Sequence, residues 1–160
     1  LGEFNIENQE NITFKQMTVT NTSNHGSGIR MVNAKVELID VALKGSRTAG
    51  LYTNFSDSLV ATRCEFANSQ FGVYLSGNLT SATFNNCVFN NNANGIHGWQ
   101  STIHLHGEAT AIHSNGNSGI YAGNSGKVII HLPSHHNTSY NNGGEDRRAV
   151  AGSTITNVED

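Results

Sequence analysis

The chain has 160 residues, a net charge of −3 and only 13% charged residues, and its basic residues form no run interleaved with aromatics. A nucleic-acid partner therefore lacks its electrostatic footprint. No apolar stretch approaches the roughly 20 residues a membrane span needs, and Leu1-Gly2-Glu3-Phe4 opens no signal peptide, which processing would remove without trace.

One proline, 17 glycines and abundant Asn, Ser and Thr disfavour helices and favour many short strands joined by turns. In chain order, Phe4-Asn5-Ile6 comes first and reads as the closing strand of an earlier coil. A Gly-aliphatic pair then recurs as Gly28-Ile29, Gly50-Leu51, Gly72-Val73, Gly95-Ile96 and Gly119-Ile120, in steps of 22, 22, 23 and 24 residues. A second apolar strand follows each pair: Val36-Glu37-Leu38, Leu59-Val60-Ala61, Ala82-Thr83-Phe84, Ile103-His104-Leu105 and Val128-Ile129-Ile130, with Ile12-Thr13-Phe14 ahead of them all. A third carries Met17-Thr18-Val19, Val41-Ala42-Leu43, Cys64-Glu65-Phe66 and Cys87-Val88-Phe89. Apolar and polar positions alternate, as in strands buried on one face.

Twenty-odd residues are too few for a helical crossover at every step, so the units must coil and stack. The expected architecture is all-β: a parallel β-helix of about six coils with three short strands per coil. Its inner ladders are Ile29, Leu51, Val73, Ile96, Ile120 and Phe14, Leu38, Ala61, Phe84, Leu105, Ile130. Asn21, Asn68 and Asn91 follow the third strand, where an asparagine ladder and simple tolerance of Asn in turns are both open readings. The stretch 135–148 breaks the period and reads as an irregular loop, carrying His135, His136 and the run Glu145-Asp146-Arg147-Arg148. Ala149-Val150-Ala151 and Ile155-Thr156-Asn157-Val158 read as the start of a further coil. Residues 1–160 are thus expected to form one domain, as a segment of a longer chain or of an end-to-end assembly of copies.

The runs Cys64-Glu65-Phe66-Ala67-Asn68 to Gly72-Val73-Tyr74 and Cys87-Val88-Phe89-Asn90-Asn91 to Gly95-Ile96-His97 resemble the repeat of pectate-lyase-like right-handed β-helix proteins. The segment 130–140 is also similar to segments of uncharacterised β-helix proteins of algae and their large viruses. The resemblance implies a right-handed coil but no single activity, since the superfamily holds polysaccharide lyases, glycoside hydrolases, epimerases, phage tailspikes and noncatalytic proteins. Its enzymes cluster carboxylates to hold calcium or to move protons. Here the twelve acidic residues are scattered, with Glu37 and Glu65 on different strands, Glu108 isolated and Asp57 in a turn. Asn24-His25-Gly26-Ser27-Gly28 resembles a Gly-His-Gly element of polygalacturonases but lacks the first glycine and the paired aspartates, so no catalytic role is carried over. Were catalysis present, His106, His131, Glu108 and Arg147 would be the residues to examine. Ice binding would need repeated Thr rows, and Thr18 and Thr20 are not repeated.

The outward residue of the first strand is Arg30, Tyr52, Tyr74, His97 and Tyr121 in successive coils. Such a row suits glycan binding, by ring faces under sugars and polar rims toward hydroxyls, and equally suits a purely stabilising stack. His104, His106 and His131 share one side of the second strand; loose expected separations make them a solvated cluster rather than a metal site, and no cofactor is expected. His25, His97, His113, His135 and His136 have no assignable metal partner. Cys64 and Cys87 occupy one inner position a coil apart and are expected as free buried thiols. Asn-x-Ser/Thr acceptors at Asn11, Asn21, Asn54, Asn78 and Asn137 favour extracellular or surface use. The leading expectation is a noncatalytic structural or glycan-binding module, with a polysaccharide-active enzyme as the alternative.

Overall fold

The computed structural model describes residues 2–132 and 138–159. Each paired strand lies parallel to its equivalent one coil away, giving a parallel β-helix with three faces. The first face is a seven-stranded sheet running from Phe4–Glu7 through Ile29–Val32, Ala49–Asn54, Phe71–Ser76, Asn94–Trp99 and Ile120–Gly123 to Arg147–Ala149. Phe4–Glu7 pairs with Ile29–Val32, so it is a strand of the first face rather than the closing strand of a coil. The second and third faces join into one sheet because Ile12–Thr20 and Lys35–Lys44 run unbroken around their shared corner. No helix occurs among the described residues, and so none long and apolar enough to cross a membrane.

The chain turns where single residues adopt positive φ. One corner uses Gln16, Asp40, Arg63 and Asn86, at 50°, 54°, 53° and 52°; another uses Gly45, Asn68, Asn91, Ser114 and Asn141, at 71°, 57°, 54°, 57° and 53°. This left-handed region is costly for most residues and least so for Gly and Asn, which accounts for part of the Asn bias. The repeated Gly before the aliphatic residue has a different cause. A Cβ at Gly72 would sit 2.5 Å from the Gly95 carbonyl oxygen, and one at Gly50 2.7 Å from that of Gly72, so the coils stack this closely only without a side chain there.

Both expected inner ladders are present. Ile29, Leu51, Val73, Ile96, Ile120, Leu38, Ala61, Phe84, Leu105 and Ile130 are fully buried, while Phe14, at the N-terminal end, is partly covered and meets Phe4 edge to face at 5.6 Å. Phe66 and Phe89 stack at 4.8 Å with Phe84 edge-on to both, at 5.7 and 5.1 Å, which fills the core with aromatic volume. Cys64 and Cys87 are free and buried. The Cys87 sulfur accepts the Cys64 backbone N–H at 3.4 Å; contact with the Cys64 thiol and then burial raise the Cys87 pKa, so it stays a thiol. In the last coil, Arg147 and Asn157 stand where Ile120 and Ile130 stand one coil earlier, and they hydrogen-bond at 3.0 Å.

An asparagine ladder exists, one residue beyond the expected positions. Asn92 Nδ2 donates to Asn115 Oδ1 at 3.1 Å and Asn115 Nδ2 to Asn142 Oδ1 at 2.9 Å. The same oxygens accept the backbone N–H of the preceding coil, at 3.1 Å in each case, and Asn92 Oδ1 takes that of Ser69 at 3.0 Å. Asn68 and Asn91 instead hold the positive-φ corner and are exposed, and the next residue turns inward. Asn21 is buried but bonds within its own turn, through Ser27 O at 2.7 Å and Ser23 N at 3.1 Å.

The expected irregular loop is also corrected over its described part. Ser139–Tyr140 pairs with Ile112–His113, Asn142 ends the ladder, and Arg147–Ala149 pairs with Ile120–Ala122. The step from Asn115 to Asn142 is 27 residues against 23 from Asn92 to Asn115, so the period lengthens once and then resumes. His135 and His136 lie outside the described residues.

Candidate functional site

On the first face, alternation puts residues 30, 52, 74, 97 and 121 outward, and the register Arg30↔Tyr52↔Tyr74↔His97↔Tyr121↔Arg148 stacks them coil by coil. Tyr52 and Tyr74 lie 5.3 Å apart with planes 11° from parallel, Tyr74 and His97 4.6 Å and 9°, His97 and Tyr121 4.5 Å and 13°. Parallel rings this close must overlap face to face, because coplanar rings would collide edge to edge. The expectation of open ring faces is therefore revised: interior faces of the row cover one another. Phe71 closes one side, edge-on to Tyr74 and His97 at 5.2 Å each, and Trp99 lies beside His97 at 6.4 Å.

The row is uncharged along its middle. Burial pulls the His97 pKa down to about 4, so its imidazole is neutral near pH 7. Burial, then the phenols of Tyr52 and Tyr121, push the Tyr74 pKa up. Cations stand at both ends. Arg30 Nη1 donates to Glu7 Oε1 at 3.1 Å and Asn5 Oδ1 at 3.2 Å; Asn5 and then Arg30 hold the Glu7 carboxyl below its usual range. Arg148 lies 5.8 Å from the Tyr121 ring centroid, with Glu145 3.8 Å away.

Beside the row, an open cleft of about 550 Å³ runs along the corner that leads into the first face. His97 and Tyr121 form one wall; Phe71, Asn94, Asn117, Ser118, Glu145 and Arg148 supply the rest, with the backbone of Gly116, Gly143 and Gly144. Sequence reasoning singled out His97 and Tyr121 but assigned nothing to Phe71, Asn94, Asn117 or Ser118. Phe71 carried a signal, an apolar ring set directly before a repeat glycine; the others lie in corners whose shape follows from stacking.

The histidines on the second face come closer than the repeat spacing alone predicts. His106 and His131 stack at 3.9 Å, His104 Nδ1 and His131 Nε2 are 2.9 Å apart, and one ring nitrogen from each of the three lies within 4.8 Å of the others. All three are half-buried. His113 stacks on Tyr140 at 5.4 Å on the third face.

Of the acceptor asparagines, Asn11 and Asn78 are exposed and Asn54 is partly so. Asn21 is withdrawn from that set, because its amide is buried and committed to Ser27; Asn137 lies outside the described residues. Asp57 is buried and structural, its two oxygens accepting the backbone N–H of Ala34 at 2.8 Å and Asn54 at 2.9 Å, while burial raises its pKa. Arg147 occupies an inner position over Ile120, away from His106 and His131.

A family model described as a right-handed beta helix region matches residues 3–142. No curated protein and no solved structure matches the chain.

Proposed function

The chain belongs to the right-handed β-helix family, and we propose that it is a noncatalytic glycan-binding module of an extracellular or particle surface. The ligand lies along the first face, over Tyr52, Tyr74, His97 and Tyr121 and into the adjoining cleft. The observation that carries this reading is the unbroken stack of four outward rings, at 4.5 to 5.3 Å per step, beside a cleft lined by Asn94, Asn117 and Ser118. Such a row repeats neutral hydroxyl and imidazole edges at one coil spacing, about 4.8 Å, which is the size scale of a single pyranose. Sugar hydroxyls would meet these edges and the cleft amides, and Phe71 and the row's outer rims would supply apolar contact. Arg148 adds a cationic donor at one end for an acidic substituent.

Glutamate 145 is the carboxylate among the described cleft residues, and a hydrolytic pair would require a second one facing it. The test is a glycan array probed with the wild-type chain and with Tyr52→Ala and Tyr74→Ala. Binding lost in both variants, with far-UV circular dichroism unchanged, supports the reading; binding retained by folded variants sinks it. Turnover of an acidic polysaccharide by the wild-type chain would favour a polysaccharide-active enzyme instead.

A further inference from the structure

We propose that His104, His106 and His131 form a binding site for one divalent transition-metal ion, zinc being the reference case. The argument starts from the backbone. His104 and His106 are two residues apart on the strand Thr102–His106, so their side chains leave the same, outward face. Lys127–His131 is the neighbouring strand, in a register that puts His131 beside His106. Both strands are paired on their far sides, with Ser81–Asn85 and Thr154–Val158, so the three Cα positions are fixed by the sheet.

The donor atoms are already gathered. One nitrogen from each ring lies within 4.8 Å of the others, and one pair, His104 Nδ1 and His131 Nε2, is at 2.9 Å. Imidazole nitrogens bind zinc at about 2.0–2.1 Å, so two of them on one tetrahedral ion stand about 3.4 Å apart. The close pair opens slightly and the longest separation, at most 4.8 Å, closes by up to about 1.4 Å, within reach of χ rotations for half-buried rings. A metal takes the place of the hydrogen bond between His104 and His131; the donating ring moves that proton to its other nitrogen, so each ring binds in its neutral form.

The donor chemistry selects the ion. Three imidazoles, with no carboxylate in the group among the described residues, suit zinc, copper(II) or nickel(II) and disfavour calcium and magnesium, which take oxygen donors. With these three imidazoles as its ligands among the described residues, the ion keeps a fourth position for water or for an anionic group of a partner. The site lies on the second face and the aromatic row on the first, so it does not depend on the glycan reading.

Isothermal titration of the chelator-treated full chain with zinc chloride tests the site. About one zinc per chain is expected, with affinity weakened about tenfold or more in His106→Gln and in His131→Gln and abolished when all three histidines are replaced. His113→Gln should bind as wild type, and calcium chloride should give no binding heat. Zinc should also raise the Tm of the wild-type chain and leave that of the triple variant unmoved, which separates loss of ligands from loss of fold. Absence of zinc binding by the wild-type chain, or equal binding by the folded triple variant, overturns the proposal.

Discussion

Two sets of stacked rings decorate this solenoid, and they are built differently. The first-face row takes one ring from each of four coils, Tyr52, Tyr74, His97 and Tyr121, and so repeats the same edge along the axis. The second-face group takes two rings from one strand, His104 and His106, and one from the next, His131, so its nitrogens converge. Residue choice that follows the repeat produces an extended surface; residue choice that departs from it, for two coils only, produces a point. The first arrangement suits a polymer and the second an ion.

The comparison breaks most completely if the shared support is removed. Phe89 stacks on Phe66 beneath the faces and is fully buried, and Phe89→Ala should cost about 3–5 kcal/mol, read by chemical denaturation, with glycan and zinc binding falling together. Asn115→Ala sharpens it. This side chain joins Asn92, Asn142 and the Phe89 carbonyl at the corner beside the cleft, so its loss should cost about 1–3 kcal/mol and weaken glycan binding while zinc binding persists.

Tyr74→Ala removes the middle of the row. A half-buried outer ring that stacks on two neighbours contributes about 1 kcal/mol beyond its buried area, so a Tm lowered by a few degrees is expected, with glycan binding lost and zinc affinity unchanged. The last effect emerges only on acidification, at His97. The folded chain keeps this ring neutral down to about 4, whereas the unfolded chain protonates it near 6.5. The unfolded state therefore binds more protons between those values, and stability falls as pH drops through that window. In His97→Gln the fall in Tm between pH 6.5 and 4 should be shallower than in wild type; an identical slope would mean the ring is not buried in the row.

Much of this was legible in the sequence because the interior is strictly patterned. Ile29, Leu51, Val73, Ile96 and Ile120 recur at a nearly constant step, and a one-residue slip would turn each of them outward. The outward row followed from the same alternation. The asparagine ladder was displaced by one because Asn is favoured twice at that corner, once for its tolerance of positive φ at Asn68 and Asn91 and once for its amide at Asn92 and Asn115. Composition does not distinguish the two uses. The facing of the rings was not legible either, since it depends on side-chain torsions: these covered the tyrosine faces and drew the three histidines together. The cleft is a product of coil stacking at Asn94, Asn117 and Gly143, and no local motif encodes it.

The central claim is that the stacked row is a recognition surface, and NMR titration of the chain with the strongest glycan from the array tests it most directly. Shift changes concentrated on the rings of Tyr52, Tyr74, His97 and Tyr121 and on the amides of Asn94, Asn117 and Ser118 are the expected result. Changes confined to the other two faces, with the first-face rings unperturbed at saturation, would contradict it and leave the row a structural stack.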